Sequence, residues 1–277
     1  MPTKMQTDVV SLAIDAVRAA GERIRQAWAQ ARHVEYKGPV DLVTNTDKEA
    51  EQIIVARIRS AFPDHVLVAE EASTGLAQRV PSRDEPAWYV DPLDGTVNFV
   101  HGVPHFAVSV AFGRGTHIQV GVVYDPMRDE LFVAERGGGA FLNGKRVVVS
   151  TTNSIHRALL ATGFPYDRQQ RADYYVAFFR DFVAAAQDVR RFGSAALDLC
   201  WVAAGRYDGF WEWRLHAWDV AAGSLIVGEA GGMVSTFTGQ PLDLFGDQIV
   251  ATNPALHAQV CIRLINRLRD PHAQGEP

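Results

Sequence analysis

The chain has 277 residues, a formal net charge of −5, 47% apolar residues and 21% charged residues. This composition is typical of a soluble globular protein and excludes the disordered and collagen-like classes. The length exceeds that of one ordinary hydrophobic core, so we expect one body built from two closely packed domains. Because the net charge opposes contact with a phosphate backbone, we expect no direct nucleic-acid binding, and an anionic substrate would need a metal.

No segment of the sequence predicts a membrane span or a secretory leader. The longest stretch without acidic or basic residues, 95–113, contains Pro104, two histidines and several glycines, which makes it a poor membrane helix. Charged residues interrupt the first predicted helix, which argues against a signal peptide. The two cysteines, Cys200 and Cys261, lie in apolar segments and predict reduced, buried thiols. We therefore expect a cytoplasmic protein with no membrane association.

The first half of the sequence predicts two helices followed by an antiparallel sheet. Apolar residues recur at helical spacing over 6–31, which predicts one long amphipathic helix. Thr46 is expected to cap a second helix that ends at Pro63. From Phe106 to Phe141, turn signals separate short apolar runs in the manner of antiparallel strands. Residues 1–150 are thus interpreted as an N-terminal α+β domain.

The second half predicts alternating strands and helices, which is typical of an α/β domain. Strands are expected at 159–161 and 207–211, and helices near 170–186, 194–204, 217–230 and 254–268. The polar segment 149–153 separates the two patterns and sets the predicted domain boundary near residue 150. Residues 151–277 would form the second domain.

The most informative segment is Asp91-Pro92-Leu93-Asp94-Gly95-Thr96, which places two carboxylates three residues apart after an apolar run. Another acidic pair, Glu70 and Glu71, follows the apolar run 66–69. Taken alone, such acids are equally compatible with a solvated loop or a helix cap. Their position at the ends of separate strands, where sites of α/β proteins gather, favours a metal site. Hard carboxylate and carbonyl oxygens select magnesium over zinc.

Motifs spread over nearly the whole chain resemble the inositol monophosphatase family. They are Asp41-Leu42-Val43-Thr44 with Asp47, Ala69-Glu70-Glu71, the segment 91–99, and Trp218-Asp219-Val220-Ala221-Ala222-Gly223. The segments 124–128, 161–165 and 193–199 are similar to a bacterial branch of inositol-1-monophosphatases. The resemblance implies the layered αβαβα sandwich of the inositol monophosphatase and fructose-1,6-bisphosphatase type. It also implies a Mg²⁺-dependent phosphate monoester hydrolase that releases myo-inositol.

The resemblance implies a ligand set for two to three Mg²⁺ ions per site. The implied metal ligands are Glu70, Asp91, the Leu93 carbonyl, Asp94 and Asp219. The implied catalytic residues are Thr96 and Asp47, which would orient the attacking water, and Glu70. Cations that bridge one phosphate neutralise its charge and activate water, and four clustered acids would bind such cations. Without the family, Asp47 is simply an acid in the first turn of a helix.

The resemblance also implies the substrate contacts. These are Gly95 and Thr96 for the phosphate, and Gly193, Ser194, Ala195, Glu212 and Asp219 for the alcohol part. From the sequence alone, an exposed acid within an aromatic run is the favoured interpretation of Glu212, and only the resemblance reverses it. Lys37 resembles a lysine of a mobile loop, with a solvated lysine as its alternative. Val97 departs from the family, which more often has a second threonine there, and we expect a changed rate rather than a changed reaction.

The motifs specify the reaction better than the substrate. Related enzymes hydrolyse fructose 1,6-bisphosphate, 3′-phosphoadenosine 5′-phosphate or histidinol phosphate, and each remains an alternative to a small phosphorylated polyol. The bacterial branch also resembles factors that join transcription antitermination complexes, so a protein-binding module with a transcription-complex partner is a second class of function. A homodimer and sensitivity to lithium are further implications of the resemblance.

Overall fold

The structure is a computed structural model that describes residues 4–28, 34–36, 42–71 and 79–270. Five layers alternate as helices, sheet, helices, sheet and helices, with a separate hydrophobic core in each half of the stack and a third in its middle. The predicted αβαβα sandwich is therefore confirmed. Among the described helices, none combines the length and apolar composition that a bilayer crossing requires.

The outer layer of the first half packs two helices against a seven-stranded sheet. The helices are α1 (Lys4–Trp28) and α2 (Asn45–Ala61), with the short α3 (Thr96–His101) after the second strand of the sheet. A separate antiparallel pair is β1 (Val34–Tyr36) and β2 (Leu42–Thr44). The sheet contains, in spatial order, β3 (Val66–Ala69), β4 (Pro86–Asp94), β5 (Ala107–Arg114), β6 (His117–Asp125), β7 (Glu130–Glu135), β8 (Gly139–Leu142) and β9 (Lys145–Val147). All neighbours are antiparallel except β3 and β4, which confirms the antiparallel sheet predicted after residue 106.

The second half forms a mixed five-stranded sheet with helices on both faces. Its elements are β10 (Leu159–Thr162), α4 (Ala172–Val183), β11 (Asp188–Arg190), α5 (Ala195–Ala203), β12 (Gly209–Trp213), α6 (Ala217–Glu229), β13 (Met233–Ser235), β14 (Gln248–Thr252) and α7 (Pro254–Leu268). The spatial order is β11-β10-β12-β14-β13, parallel among the first three strands and antiparallel after them. The four helices lie where the alternating pattern predicted them.

The start of α2 corrects one prediction from the sequence. Thr44, rather than Thr46, is the N-cap, because its hydroxyl accepts from the Asp47 amide while the Asp47 carboxylate accepts from the Thr44 amide. This reciprocal capping box requires the acid three residues after the cap. Asp47 meets that requirement for Thr44, so the helix begins closer to β2 than we predicted.

The helices α5 and α6 form the middle layer, between the two sheets. Both are buried on nearly every face, which is the pattern of a helix enclosed by protein on all sides. The approach is close: a side-chain carbon at Gly121 on β6 would lie 2.7 Å from the Ala222 carbonyl oxygen of α6. Helices of the second half therefore share a core with the sheet of the first half, and the division near residue 150 stays a prediction. Cys200 and Cys261 are free and buried, as predicted.

Candidate active site

One pocket of about 130 Å³ lies where the end of β4 meets the N-terminal ends of α3, α5 and α6. Most of the site residues predicted from the sequence line it: Glu70, Asp91, Leu93, Asp94, Gly95, Thr96, Gly193, Ala195, Glu212 and Asp219. Val97, which departs from the family pattern, also lines the pocket and is partly exposed. Asp47 and Ser194 lie behind its wall. Lys37 and Asp41 fall outside the described residues.

The end of β4 aims two carboxylates into the pocket through a break in strand pairing. Asp91 pairs with Ser109 of β5 and Asp94 pairs with Ala107, so an advance of three residues along β4 corresponds to two residues along β5. Such a bulge bends the strand and redirects its side chains. The acids thus belong to the last residues of the strand, whereas the sequence suggested a turn after it. Gly95 follows with φ of +96°, a left-handed conformation that glycine adopts without strain.

The carboxylates of this pocket repel one another in a buried setting. Asp91 is 1% exposed, and burial followed by the charges of Glu70, Asp94 and Asp219 raises its pKa well above the usual range. Burial and the charge of Asp219 raise the pKa of Asp94 to about 7. The largest contributions to both shifts come from burial and from neighbouring carboxylates rather than from a positive side chain. Both carboxylates therefore gain strongly from a cation.

A hard divalent cation fits this donor set. Carboxylate oxygens are the ligands that magnesium prefers, and a cation among them would offset both the burial and the repulsion. Within the described residues, no three His, Cys, Asp or Glu side chains already stand in the arrangement of a formed metal-binding group. The acids thus share one pocket without closing into a cage, and the fit rests on their chemistry and their buried negative charge.

Thr96 and Asp47 form a hydrogen-bonded pair next to the carboxylates. The Thr96 hydroxyl lies 2.9 Å from Asp47 Oδ1 and 3.0 Å from the Leu93 carbonyl oxygen, and it can donate to either. Asp47 Oδ2 accepts from the amide and the hydroxyl of Thr44. Burial raises the pKa of Asp47, and the bonds from Thr44 and Thr96 oppose that rise. The cap of α2 and the predicted catalytic pair therefore use the same carboxylate.

Ser194 connects the two halves of the molecule through Asp94. Its hydroxyl donates to Asp94 Oδ2 at 2.6 Å, and the Ala196 amide donates to the same oxygen at 2.7 Å. Ser194 is completely buried and also caps α5 by accepting from the Leu197 amide. Its hydroxyl thus contacts Asp94 in this structure, and its predicted contact with substrate stays a prediction.

Glu212 is buried on β12 with its side chain in the pocket wall, which rules out the alternative of an exposed surface acid. Burial raises its pKa to about 8, while the positive charge of Arg191 opposes the rise. The Glu212 carboxylate lies directly against Gly163, which follows β10. The Glu212 carboxyl group is therefore held at this end of the pocket.

Asp219 occupies the first turn of α6 and faces the pocket from the second half of the chain. Its Oδ2 accepts from the His216 amide at 2.6 Å and lies 3.5 Å from His216 Nδ1. The His216 ring stacks on Trp218, with ring centroids 4.6 Å apart. The capping interaction fixes one oxygen of Asp219 at the helix start.

The pocket also contains residues that the sequence did not single out. They include three arginines and one aromatic side chain, namely Arg168, Arg191, Arg214 and Tyr166. Most of them flank the segments 161–165 and 193–199 that carried the family resemblance. That proximity was the one signal available, because isolated arginines have no spacing pattern of their own.

Comparison with known proteins agrees with this geometry. A family model described as the inositol monophosphatase family matches residues 5–269. Nus factor SuhB of Pseudomonas aeruginosa is 44% identical over 268 residues, which cover 95% of this chain and 96% of that protein. Inositol monophosphatase 2 of Solanum lycopersicum is 43% identical over 251 residues, covering 90% and 95% of the two proteins.

A solved structure of a similar protein has the same fold. The extragenic suppressor protein suhB from Bartonella henselae superposes with a TM-score of 0.86 at 39% identity, covering 93% of this chain and 98% of that one. The family and the fold together support a phosphatase. The resemblance seen in the sequence is confirmed, and the chain belongs to the inositol monophosphatase family.

Proposed function

We propose that this protein is a Mg²⁺-dependent phosphate monoester hydrolase that acts on a small phosphorylated polyol, inositol 1-phosphate in the first place. The observation that carries the proposal is the convergence of buried and half-buried carboxylates from both halves of the chain on the pocket that holds Thr96. Asp91 and Asp94 come from β4, whereas Asp219 comes from α6. This arrangement costs free energy unless positive charge enters with the ligand.

The residues that would hold two to three Mg²⁺ ions are Glu70, Asp91, the Leu93 carbonyl, Asp94 and Asp219. When bound, magnesium supplies positive charge that offsets the phosphate and lowers the pKa of water. The bonds from Ser194 and the Ala196 amide hold Asp94 Oδ2 in place at the pocket. The ligand set is thus oriented by the start of α5.

Thr96 and Asp47 would prepare the water that attacks phosphorus. When the Thr96 hydroxyl donates to Asp47, its own oxygen can accept a hydrogen bond from water in the pocket. As the water oxygen bonds to phosphorus, a water proton passes to Thr96 and the Thr96 proton passes to Asp47. Burial raises the pKa of Asp47, which favours its role as the final proton acceptor. The bond from phosphorus to the leaving oxygen then breaks, and the leaving oxygen takes a proton from solvent water and departs as the alcohol.

The two ends of the pocket would hold the two parts of the substrate. The amides of Gly95 and Thr96, at the start of α3, would donate to the phosphate oxygens, since the first amides of a helix have no acceptor within the helix. Glu212, with the backbone of Gly193 and Ala195, would receive the hydroxyl groups of the alcohol. A buried carboxylate favours a polyol over an apolar alcohol because it needs hydrogen-bond donors.

A protein-binding role is a second candidate, favoured by 44% identity to Nus factor SuhB across 95% of the chain. In that role the chain would act as a module in a transcription complex and would form a homodimer or bind a protein partner. Asp91→Asn separates the two candidates, because it removes a pocket carboxylate without altering the outer surface. A pure binding role predicts unchanged partner capture by that variant, whereas the hydrolase predicts loss of turnover.

The substrate proposal is tested by phosphate release from inositol 1-phosphate, fructose 1,6-bisphosphate, 3′-phosphoadenosine 5′-phosphate and histidinol phosphate, each with and without Mg²⁺. Inhibition by lithium is measured in the same panel. Magnesium-dependent turnover that is highest on inositol 1-phosphate supports the proposal. A preference for another ester would keep the reaction and replace the substrate, and no turnover on any ester would leave the protein-binding role.

A further inference from the structure

A second cavity, of about 350 Å³, runs along the second half of α6 and shares no lining residue with the active-site pocket. Its other walls come from the start of β6, the turn after β7, and β13 with the chain that follows it. We call this cavity the α6 groove. No step of the proposed hydrolysis uses a residue of the α6 groove, so a ligand there would bind apart from the active-site pocket.

Part of the α6 groove is lined by buried apolar side chains. Ile118, Leu225 and Leu244 line it and are at most 5% exposed. Gly228 on α6 also lines it, and a side-chain carbon added there would meet no atom within 4 Å. The groove therefore has free space beside an apolar surface, where an apolar group releases water when it binds.

Arg136, which follows β7, supplies a positive charge to the groove. Its Nε donates to the Ile118 carbonyl oxygen at 2.7 Å, which fixes the guanidinium beside the apolar lining. Within the described ranges of the chain, no carboxylate or carbonyl accepts from its Nη1 or Nη2, and the residue is exposed. A guanidinium held in this way presents its remaining donors in a plane that matches the two oxygens of a carboxylate.

The acid of the groove, Glu229, does not pair with Arg136. Its Oε1 accepts from the Gly137 amide at 2.8 Å, and its Oε2 accepts from the Gly139 amide at 2.9 Å. The carbonyl groups at the end of α6 are also bonded, since they accept from the amides of residues 230–232. These acceptors are thus used within the fold, and the guanidinium keeps its Nη groups for a ligand.

We propose that the α6 groove is a second ligand site, which binds a small organic carboxylate with an apolar body. The carboxylate would accept from Nη1 and Nη2 of Arg136 and from the Thr116 hydroxyl, while the apolar body would lie against Leu225 and Leu244. One guanidinium matches the single negative charge of a carboxylate, whereas a phosphate monoester carries about 1.5 to 2 negative charges at pH 7. The site does not depend on the proposed hydrolysis, and its failure would leave that proposal standing.

The ligand class is tested by isothermal titration calorimetry of the whole chain with 4-phenylbutyrate. Two matched probes accompany it: 4-phenyl-1-butanol keeps the apolar body without the charge, and butyrate keeps the charge without the ring. We expect saturable binding of 4-phenylbutyrate at millimolar concentration or below, and binding of each matched probe that is at least about tenfold weaker. No saturable binding of 4-phenylbutyrate, or equal binding of either matched probe, would overturn the proposal.

Two variants locate the bound carboxylate. Arg136→Gln removes the charge and should weaken 4-phenylbutyrate binding about 10- to 100-fold. Gly228→Phe should abolish binding by filling the free space beside α6 without changing Arg136, and a residue with a side chain suits a helix better than glycine. The control Arg191→Gln removes an arginine that lines the active-site pocket instead and should keep the wild-type affinity. Thermal melts check that each variant is folded. Unchanged affinity in either groove variant, or an equal loss in Arg191→Gln, would overturn the proposed site.

Discussion

The contact between Gly163 and Glu212 allows one substitution to displace the substrate acceptor without changing it. A side-chain carbon at Gly163 would overlap all three atoms of the Glu212 carboxylate group. The backbone at Gly163 has ordinary φ, so alanine itself is tolerated there. Because the carboxylate is the end of a flexible side chain, Gly163→Ala should displace the Glu212 carboxylate from its position in the pocket rather than unfold the protein.

The expected loss follows from the hydrogen bond that Glu212 would make. Because burial raises the pKa of Glu212 to about 8, the group is largely uncharged at pH 7. A neutral hydrogen bond contributes about 0.5–1.5 kcal/mol, so losing it lowers kcat/KM about 2- to 13-fold. The loss should appear on inositol 1-phosphate, whose hydroxyls need the acceptor. It should be absent on phenyl phosphate, which has no hydroxyl on its alcohol part. Steady-state kinetics on both esters measure this difference.

The matched control is Gly228→Ala on α6, where an added methyl group meets no atom within 4 Å. That helix position should tolerate alanine with unchanged kinetics and slightly higher stability. If Gly163→Ala keeps the wild-type kcat/KM on inositol 1-phosphate, or loses equally on phenyl phosphate, Glu212 is not the polyol acceptor that we infer.

Three further substitutions test other parts of the account. Thr96→Val removes the hydroxyl that bonds Asp47 and should lower kcat about 10²- to 10⁴-fold, whereas Thr96→Ser should retain most of it. Ser194→Ala removes a bond that lowers the pKa of Asp94, so that pKa should rise further above about 7, and half-maximal activity at pH 7 should need more Mg²⁺. Burial and Arg128 lower the pKa of His105 from 6.5 to about 4, so the unfolded chain binds a proton first as the pH falls. The contribution of neutral His105 to the free energy of unfolding is therefore complete above pH 6.5 and declines toward pH 4, with a loss of about 2 kcal/mol at pH 5. His105→Phe should remove this part of the decline, as measured by urea denaturation.

Each of these outcomes has a clear opposite. Equal kcat for Thr96→Val and Thr96→Ser would mean that the hydroxyl plays no part in the reaction. An unchanged Mg²⁺ requirement in Ser194→Ala would show that its bond to Asp94 does not orient the ligand set. Equal losses of the free energy of unfolding between pH 7 and pH 5 in the wild type and in His105→Phe would show that His105 does not cause the decline.

The sequence predicted the elements whose apolar residues alternate with a clear period. The helices α4 to α7 were located because each carries a regular apolar face or an apolar run between turn signals. The cap of α2 was misplaced because Thr44 and Thr46 are both good caps, and only the pairing with Asp47 decides between them. Such a choice depends on a reciprocal hydrogen bond, which composition does not encode.

The site was predicted as a set of residues, but their contacts were not. Acids that follow apolar runs pointed to Asp91 and Asp94, whereas Asp219 was identified only through the resemblance to the inositol monophosphatase family. The contact of Ser194 with Asp94 depends on how α5 packs against β4. It joins two residues that are 100 positions apart in the chain, and no local spacing predicts it.

The most direct test of the central claim is a Mg²⁺ titration of phosphate release from inositol 1-phosphate by the wild type and Asp91→Asn at pH 7. We expect turnover that is absent with EDTA, rises to saturation with Mg²⁺ in the wild type, and falls at least about 10³-fold in the variant, because a carboxylate that would hold the metal is lost. The folded state of the variant is checked by its thermal melt. Turnover that persists with EDTA, or an Asp91→Asn variant as active as the wild type, would contradict the metal-dependent account.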